Sequence, residues 1–304
     1  DAGQDMILPD FSEYFQGEAR AHLLSLLELA LAEDGPDLTT DGVFSPQDRL
    51  QAIIVAKERT LIAGLPVIPL VMNLCAAHPD ELSYTWQPLA KEGEEVVTGS
   101  VVARIAGPAR QILRAERIIL NFVSRLCGIA NLTSLYVEAL EGTGVRLLDT
   151  RKTMPGMRYP DKYAVLCGGG HNHRRNLHEM LMLKDNHIDA AGSMTKAVEL
   201  LRGRYNPCPP IEVECRTNDE VLEAVACGVD RIMLDNMTPD MLPAALERIP
   251  SSIEVEVSGG VSLDTIRTYA TVKSLRKPDF ISVGRITHSA VTADLSMRIA
   301  KETA

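Results

Sequence analysis

Apolar and polar positions follow two different rhythms along the chain, and the change falls near residue 145. Before it the pattern is mixed. Residues 18–33 (EARAHLLSLLELALAE) repeat their apolar positions at helical spacing until Gly35-Pro36 ends the run. Short strand-like runs follow at 51–56 (QAIIVA), 59–63 and 82–87. The glycine-punctuated segment 93–105 (GEEVVTGSVVARI) reads as a hairpin of the kind found in swinging-arm carrier domains. A long amphipathic stretch at 108–140 predicts a helix acting as the hinge between the halves.

From residue 145 the rhythm becomes regular. Strand-like runs at 145–149 (VRLLD), 180–184 (MLMLK), 211–215 (IEVEC), 231–235 (RIMLD), 253–257 (IEVEV) and 280–283 (FISV) alternate with helical runs. The helices are expected at 194–203, 217–227, 238–248 and 262–273, several opened by Thr, Ser or Asn as N-caps. Repeated βα units imply parallel strands joined by right-handed crossovers. Six such units fall short of a complete eight-stranded barrel. The expected fold is therefore an open or incomplete α/β barrel over 116–288, preceded by a smaller N-terminal α+β domain over 1–115. A C-terminal helix over 289–304 is expected to join that first domain. A doubly wound open sheet is the competing architecture, and periodicity alone does not separate the two.

Composition narrows the function classes. The chain has 304 residues, enough for roughly two domains with sizeable cores. Aromatics make up only 4%, with a single tryptophan, Trp86, which argues against a base-stacking surface. A net charge of −10 argues against nucleic-acid or anionic-membrane partners. The six cysteines (Cys75, Cys127, Cys167, Cys208, Cys215, Cys227) show no zinc or redox spacing and read as reduced thiols. The longest apolar stretch, residues 61–77, is interrupted by Gly64, Pro66, Pro69 and Asn73 and is too short and broken for a membrane span. With no basic region followed by an apolar core at the start, a cytoplasmic location is expected.

Chemistry concentrates where the parallel strands end, which is where α/β folds build their sites. The first strand runs into Asp149-Thr150-Arg151-Lys152-Thr153 and the second into Lys184-Asp185-Asn186-His187. The third carries Glu212 and Glu214, and the fourth ends in Asp235-Asn236. The last two lead into Ser258-Gly259-Gly260 and Gly284-Arg285. Between Arg146 and His187 eight Lys or Arg face four Asp or Glu, in a chain that is acidic as a whole. His171, His173, His178 and His187 share that window. A basic pocket in an acidic protein predicts a small polyanionic ligand. Glu214 and Asp235 are candidates to converge on one Mg²⁺, which takes one or two carboxylates plus substrate phosphates. Glycine-rich loops after late strands are a recurring device for phosphate.

The blocks DTRKTMPGMRYPDKYAVLCGGGHNHR, LKDNHI, IEVE, IMLDN, EVSGG and ISVGRIT occur in this order, with DLTT, AGLPVIP and AERIILNFVSRLCGIA upstream. Together they resemble the quinolinate phosphoribosyltransferase family over about residues 35–290. Met154, Met157 and Cys215 depart from the family pattern without touching a charged position. The resemblance implies transfer of phosphoribosyl from phosphoribosyl pyrophosphate to quinolinate with decarboxylation, and Mg²⁺ as cofactor. It implies that Arg117, Arg151, Lys152, His173, Arg174 and Lys184 line the quinolinate and phosphoribosyl site. Lys152, Lys184, Glu214 and Asp235 would be catalytic, with Glu214 and Asp235 at the ribose and metal-pyrophosphate end. Ser258, Gly259, Gly260 and Gly284 would hold the 5′-phosphate. It also implies a homodimer or higher homo-oligomer in which Arg117 comes from the partner subunit. A same-scaffold enzyme using another anionic pyridine, or one serving metal-cofactor metabolism, is the nearest rival. A carrier module is a remote one, because Lys91 precedes the glycine turn instead of crowning it.

Overall fold

The computed structural model describes residues 8–76 and 83–299. The first elements are α1 (Phe11–Tyr14), α2 (Gly17–Asp34), α3 (Leu38–Val43), β1 (Arg49–Ala56), β2 (Thr60–Leu61) and α4 (Val67–Cys75). Then come β3 (Thr85–Pro88), β4 (Glu95–Val96), β5 (Val101–Pro108), α5 (Ala109–Leu140), β6 (Arg146–Leu148) and α6 (Arg158–Cys167). Next are β7 (Leu181–Leu183), α7 (Asp185–Ala191), α8 (Met194–Arg204), β8 (Ile211–Cys215), α9 (Asn218–Cys227) and β9 (Arg231–Asp235). The chain closes with α10 (Leu242–Leu246), β10 (Glu254–Ser258), α11 (Ile266–Ala270), β11 (Phe280–Ser282), α12 (Arg285–His288) and β12 (Leu295–Ile299).

The described residues form two compact units. One holds 135–152 and 170–285, the other 8–134, 153–169 and 286–299. The division falls within α5, not at the boundary expected at 115/116, and the segment 153–169 belongs with the N-terminal residues.

In the first unit six parallel strands run in the order β6-β11-β10-β9-β8-β7. Consecutive strands are neighbours except β6 and β7, so the barrel is open at that one seam. His171 forms a parallel bridge to Leu148 beside the seam. Alternation along each strand decides what faces where. Ile211, Val213, Ile232, Leu234, Val255 and Val257 are buried on one face. Glu212, Glu214, Arg231, Met233, Asp235, Glu256 and Ser258 share the opposite face. The barrel interior is therefore polar where a packed barrel would be aliphatic. Arg146 and Arg231 stack on the Phe280 ring, at 4.2 and 4.5 Å.

The helices obey their caps. Ser193 accepts the Lys196 N–H at the start of α8, and Thr217 with Glu220 forms a capping box on α9. The runs expected at 238–248 and 262–273 are helical only over α10 and α11. Pro243 lacks the N–H that would continue a helix back from α10. The Thr265 hydroxyl bonds back to Ser262 and holds a turn where α11 would have begun earlier.

In the second unit four antiparallel strands run in the order β12-β1-β5-β3, and α2 packs on α4 and α6. Two expectations need correcting here. The helix expected at 289–304 is absent over its described part. Residues 295–299 form β12, which pairs antiparallel with β1 from Ala52 to Ala56, and the last five residues lie outside the described ones. Segment 93–105 is not a hairpin: β4 pairs with β2, whereas β5 pairs with β1 and β3. The broken apolar stretch contains α4, because Pro66 and Pro69 stand at the N-cap and in the first turn, where a missing N–H costs nothing. The strand expected at 82–87 is β3, with residue 82 outside the described residues.

Helix α5 is long and apolar enough to cross a bilayer, but 61% of its most apolar window is buried in the fold, as in a core helix. Gly128 on α5 lets the 291–292 backbone cross it: an added Cβ would lie 2.0 Å from the Val291 carbonyl oxygen. Arg125 on α5 makes a bidentate pair with fully buried Asp161 of α6, at 2.8 and 2.7 Å.

Candidate active site

A cavity of about 540 Å³ opens at the carboxyl ends of the barrel strands. Its lining is supplied by every strand of the open barrel. Thr150, Arg151 and Lys152 follow β6, Met182 and Lys184 come from β7, and Glu214 from β8. Met233, Asp235 and Asn236 come from β9, Glu256 and Ser258 from β10, and Ser282 from β11. His173 and Arg174 come from the segment beside the seam.

The basic wall is held from behind. Arg174 donates to the Met180 carbonyl at 2.8 Å and contacts the Met182 sulfur at 3.6 Å. Burial, and then the charge of Arg151, lower the Arg174 pKa, so two guanidiniums sit close enough to repel. An anion with two carboxylates relieves that repulsion and fits the forks of both arginines. Lys184 precedes α7, and its backbone N–H is held by His187 Nδ1 at 3.1 Å. Its ammonium lies 2.7 Å from Glu214 Oε1.

The floor is a buried charge cluster. His173 Nε2 lies 3.0 Å from Glu212 and 3.2 Å from Glu256, both fully buried. Arg231 from the intervening strand approaches Glu256 at 3.7 Å, and Ser282 lines the same cavity. Burial, together with the Glu256 charge, pushes the Glu212 carboxyl up to about 7. Glu256 is held low: His173, Ser282 and Arg231 outweigh its burial. Burial opposes a charge on His173, but the two carboxylates outweigh it and favour a proton on the ring, raising it to about 9. Nδ1, however, accepts the Arg174 N–H at 2.7 Å, which leaves no place for a second ring proton. We therefore place the ring proton on Nε2 and the cluster's other proton on the carboxyl pair. The three donor groups lie within 4.8 Å of one another, but Arg231 and these protons already balance their charge.

Opposite the basic wall the backbone is drawn into the left-handed region. Asn236 has φ 55°, and Gly259 and Gly260 have φ 93° and 66°. A Cβ on Gly259 would lie 2.3 Å from Asn236 Oδ1, so only glycine lets this loop close on β9. Asn236 Nδ2 donates to Asp235 Oδ2 at 2.8 Å, and its backbone N–H to the Ser258 carbonyl at 2.8 Å.

Comparison with known proteins decides the family. The N-terminal domain model of quinolinate phosphoribosyl transferase matches residues 37–127, and the C-terminal domain model matches 129–298. The chain belongs to the quinolinate phosphoribosyltransferase family. It is 37% identical over 263 residues to a probable nicotinate-nucleotide pyrophosphorylase (carboxylating) of Bacillus subtilis, covering 86% of this chain and 88% of that one. It is 42% identical over 280 residues to the Synechocystis protein of the same description, covering 90% and 92%. The crystal structure of NadC from Streptococcus pyogenes superposes with a TM-score of 0.85 at 36% identity, covering 94% of this chain and all of that one.

Among the residues that the family resemblance nominated, Arg151, Lys152, His173, Arg174, Lys184, Glu214, Asp235 and Ser258 line one cavity. Gly259, Gly260 and Gly284 stand at the same strand ends without lining it. Arg117 lies on α5 in the other unit, exposed, and does not line it either. The basic window of the sequence is not all site. Arg175 is paired with Glu179 at 2.6 Å, Arg158 bonds to Thr153, and Arg146 stacks on Phe280. His171 is pushed toward the neutral form by burial and Arg146, and His187 serves as a cap. The sequence alone placed Glu212 among the polar strand residues without giving it a role, and it gave no place to Glu256. Their signal lay in the period-two runs IEVEC and IEVEV, which put them on the same face as Glu214 and Ser258.

Proposed function

We propose that the chain transfers the phosphoribosyl group of phosphoribosyl pyrophosphate to the ring nitrogen of quinolinate, with loss of the C2 carboxylate. The products are nicotinate mononucleotide, pyrophosphate and CO₂, a step of de novo NAD synthesis. The observation that carries this reading is the cavity itself. Arg151, Lys152, Arg174 and Lys184 face it from one side, and Glu214, Asp235 and the Ser258 loop from the other. Quinolinate and the donor are both polyanions, and a preorganised cationic wall offsets their repulsion in a site of low dielectric. As the bond from C1′ to pyrophosphate breaks, the ribose gains oxocarbenium character, as in glycoside chemistry. Carboxylates of Glu214 and Asp235 at that end stabilise the positive charge. Lys184, held by Glu214, stands where it can neutralise substrate charge without leaving its partner. After transfer the positive charge on the alkylated ring nitrogen stabilises the electron pair left at C2 as CO₂ departs, and a proton from solvent takes the carboxylate's place at C2.

Glu214 and Asp235 offer hard oxygen donors in one cavity and fit Mg²⁺, with Glu214 Oε1 remaining on Lys184. When bound, Mg²⁺ would neutralise charge on the leaving pyrophosphate. We further propose a homodimer in which exposed Arg117 completes the partner's site. A cytoplasmic location remains our expectation, although the Arabidopsis thaliana relative is described as chloroplastic.

The substrate assignment is tested by pyrophosphate release from phosphoribosyl pyrophosphate and Mg²⁺ with quinolinate or nicotinate as acceptor. Quinolinate is expected to support turnover and nicotinate to support little. Turnover with nicotinate alone overturns the assignment.

A further inference from the structure

His173 forms part of the cavity floor, yet both of its ring nitrogens are engaged by protein. Nδ1 accepts the backbone N–H of Arg174, and Nε2 lies between Glu212 of β8 and Glu256 of β10. An accepting Nδ1 carries no proton, so the ring's single proton sits on Nε2, within 3.0 and 3.2 Å of the two carboxylates in ion-pair contact. The backbone is fixed just as firmly. Buried Asp149 accepts the His173 N–H at 2.8 Å through Oδ1 and Asn172 Nδ2 at 2.7 Å through Oδ2. The imidazole is thus a strut, anchored in the barrel interior at Nε2 and holding the Arg174 main chain at Nδ1. The guanidinium of the same Arg174 is half of the dicarboxylate-binding wall.

We propose that Glu212 and Glu256 are positioning residues: by gripping Nε2 they lock the ring that orients Arg174, and so set the geometry with which quinolinate is bound. The proposal rests on the quinolinate reading of the site. Residues that orient a binding group through one intervening side chain change affinity or activity by about 10–100-fold when removed. The two carboxylates also act from different strands, so either can keep hold when the other is neutralised. Glu212→Gln retains an acceptor at the same place and serves as the conservative control.

The test is steady-state kinetics of the enzyme with each single Gln variant and with the double variant Glu212→Ala/Glu256→Ala, which removes both acceptors from Nε2. The double variant is expected to raise the quinolinate KM at least about tenfold, with the phosphoribosyl pyrophosphate KM within about twofold. Partial unfolding would instead lower apparent kcat and leave both KM values alone. A second readout is the ¹⁵N spectrum of the His173 ring, assigned by loss of its signals in His173→Gln. In the wild type and Glu212→Gln it should show one protonated and one bare nitrogen. In the double variant that single tautomer should be lost. An unchanged quinolinate KM in a folded double variant overturns the proposal, as does a wild-type ring with both nitrogens protonated. If the double variant does not fold, the ring spectra of the wild type and Glu212→Gln decide alone. If the wild type fails to use quinolinate, the functional reading falls, while the ring spectra still report whether the strut exists.

Discussion

Lys184→Ala lowers kcat/KM for quinolinate by at least about 10²–10³-fold, the effect of removing one preorganised charge-stabilising group from a closed site. The lysine stands at the end of β7 and meets Glu214 of β8 at 2.7 Å, so its loss removes a cation from the cavity and frees a carboxylate to repel the anionic substrates. It is part-exposed and packs no core, so the variant should melt within a few degrees of the wild type. Arg151→Ala should behave similarly, because it removes the charge that faces Arg174. Near wild-type turnover in both folded variants would contradict the basic-wall reading. The proposed sharing of sites adds a sharper consequence. Inactive Lys184→Ala mixed with inactive Arg117→Ala should regain about a quarter of wild-type activity, since random pairing makes half the dimers mixed and leaves each with one intact site. No recovery after subunit exchange would count against Arg117 acting across the interface.

The second large effect concerns stability. Asp161→Ala should destabilise the protein by about 3–5 kcal/mol, because it strands Arg125 against an interior that no longer compensates it. Asp161 is fully buried and both of its oxygens are taken by the Arg125 guanidinium, while Oδ2 also receives the Met154 N–H at 3.4 Å. Burial raises the Asp161 pKa more than Arg125 lowers it, so the pair is retained at an electrostatic cost. Asp161→Asn keeps an acceptor and should lose less. Urea unfolding checks the magnitude; a loss below about 1 kcal/mol would show that the pair is dispensable.

The barrel was legible because its signals are local. Each βα unit carries its own aliphatic alternation, and Ser193 and Thr217 mark the starts of their helices. Polar residues at successive strand ends therefore located the cavity before any distance was known. The errors share a cause in long-range contacts. β12 is a strand because β1 accepts it, and those partners lie more than 200 residues apart. Residues 93–105 look like a hairpin locally, but Gly99 and Ser100 are bonded to Ala56. The whole segment 153–169 leaves the barrel for the other unit, which no periodicity signals. The local charge count overstated the basic pocket. Arg175, Arg158 and Arg146 are spent on structure, and the cavity draws its positive character from only four of the eight basic residues in the window. Glu212 was left without a role and Glu256 was passed over because acids inside a strand suggest solvent, whereas here the barrel interior is polar and both lie against His173.

The most direct test is turnover of quinolinate carrying isotope in its C2 carboxylate, with phosphoribosyl pyrophosphate and Mg²⁺. Labelled CO₂ and pyrophosphate should appear in equal amounts, and nicotinate mononucleotide should carry no label. Pyrophosphate released without labelled CO₂, or label retained in the nucleotide, would contradict a decarboxylating phosphoribosyl transfer at this site.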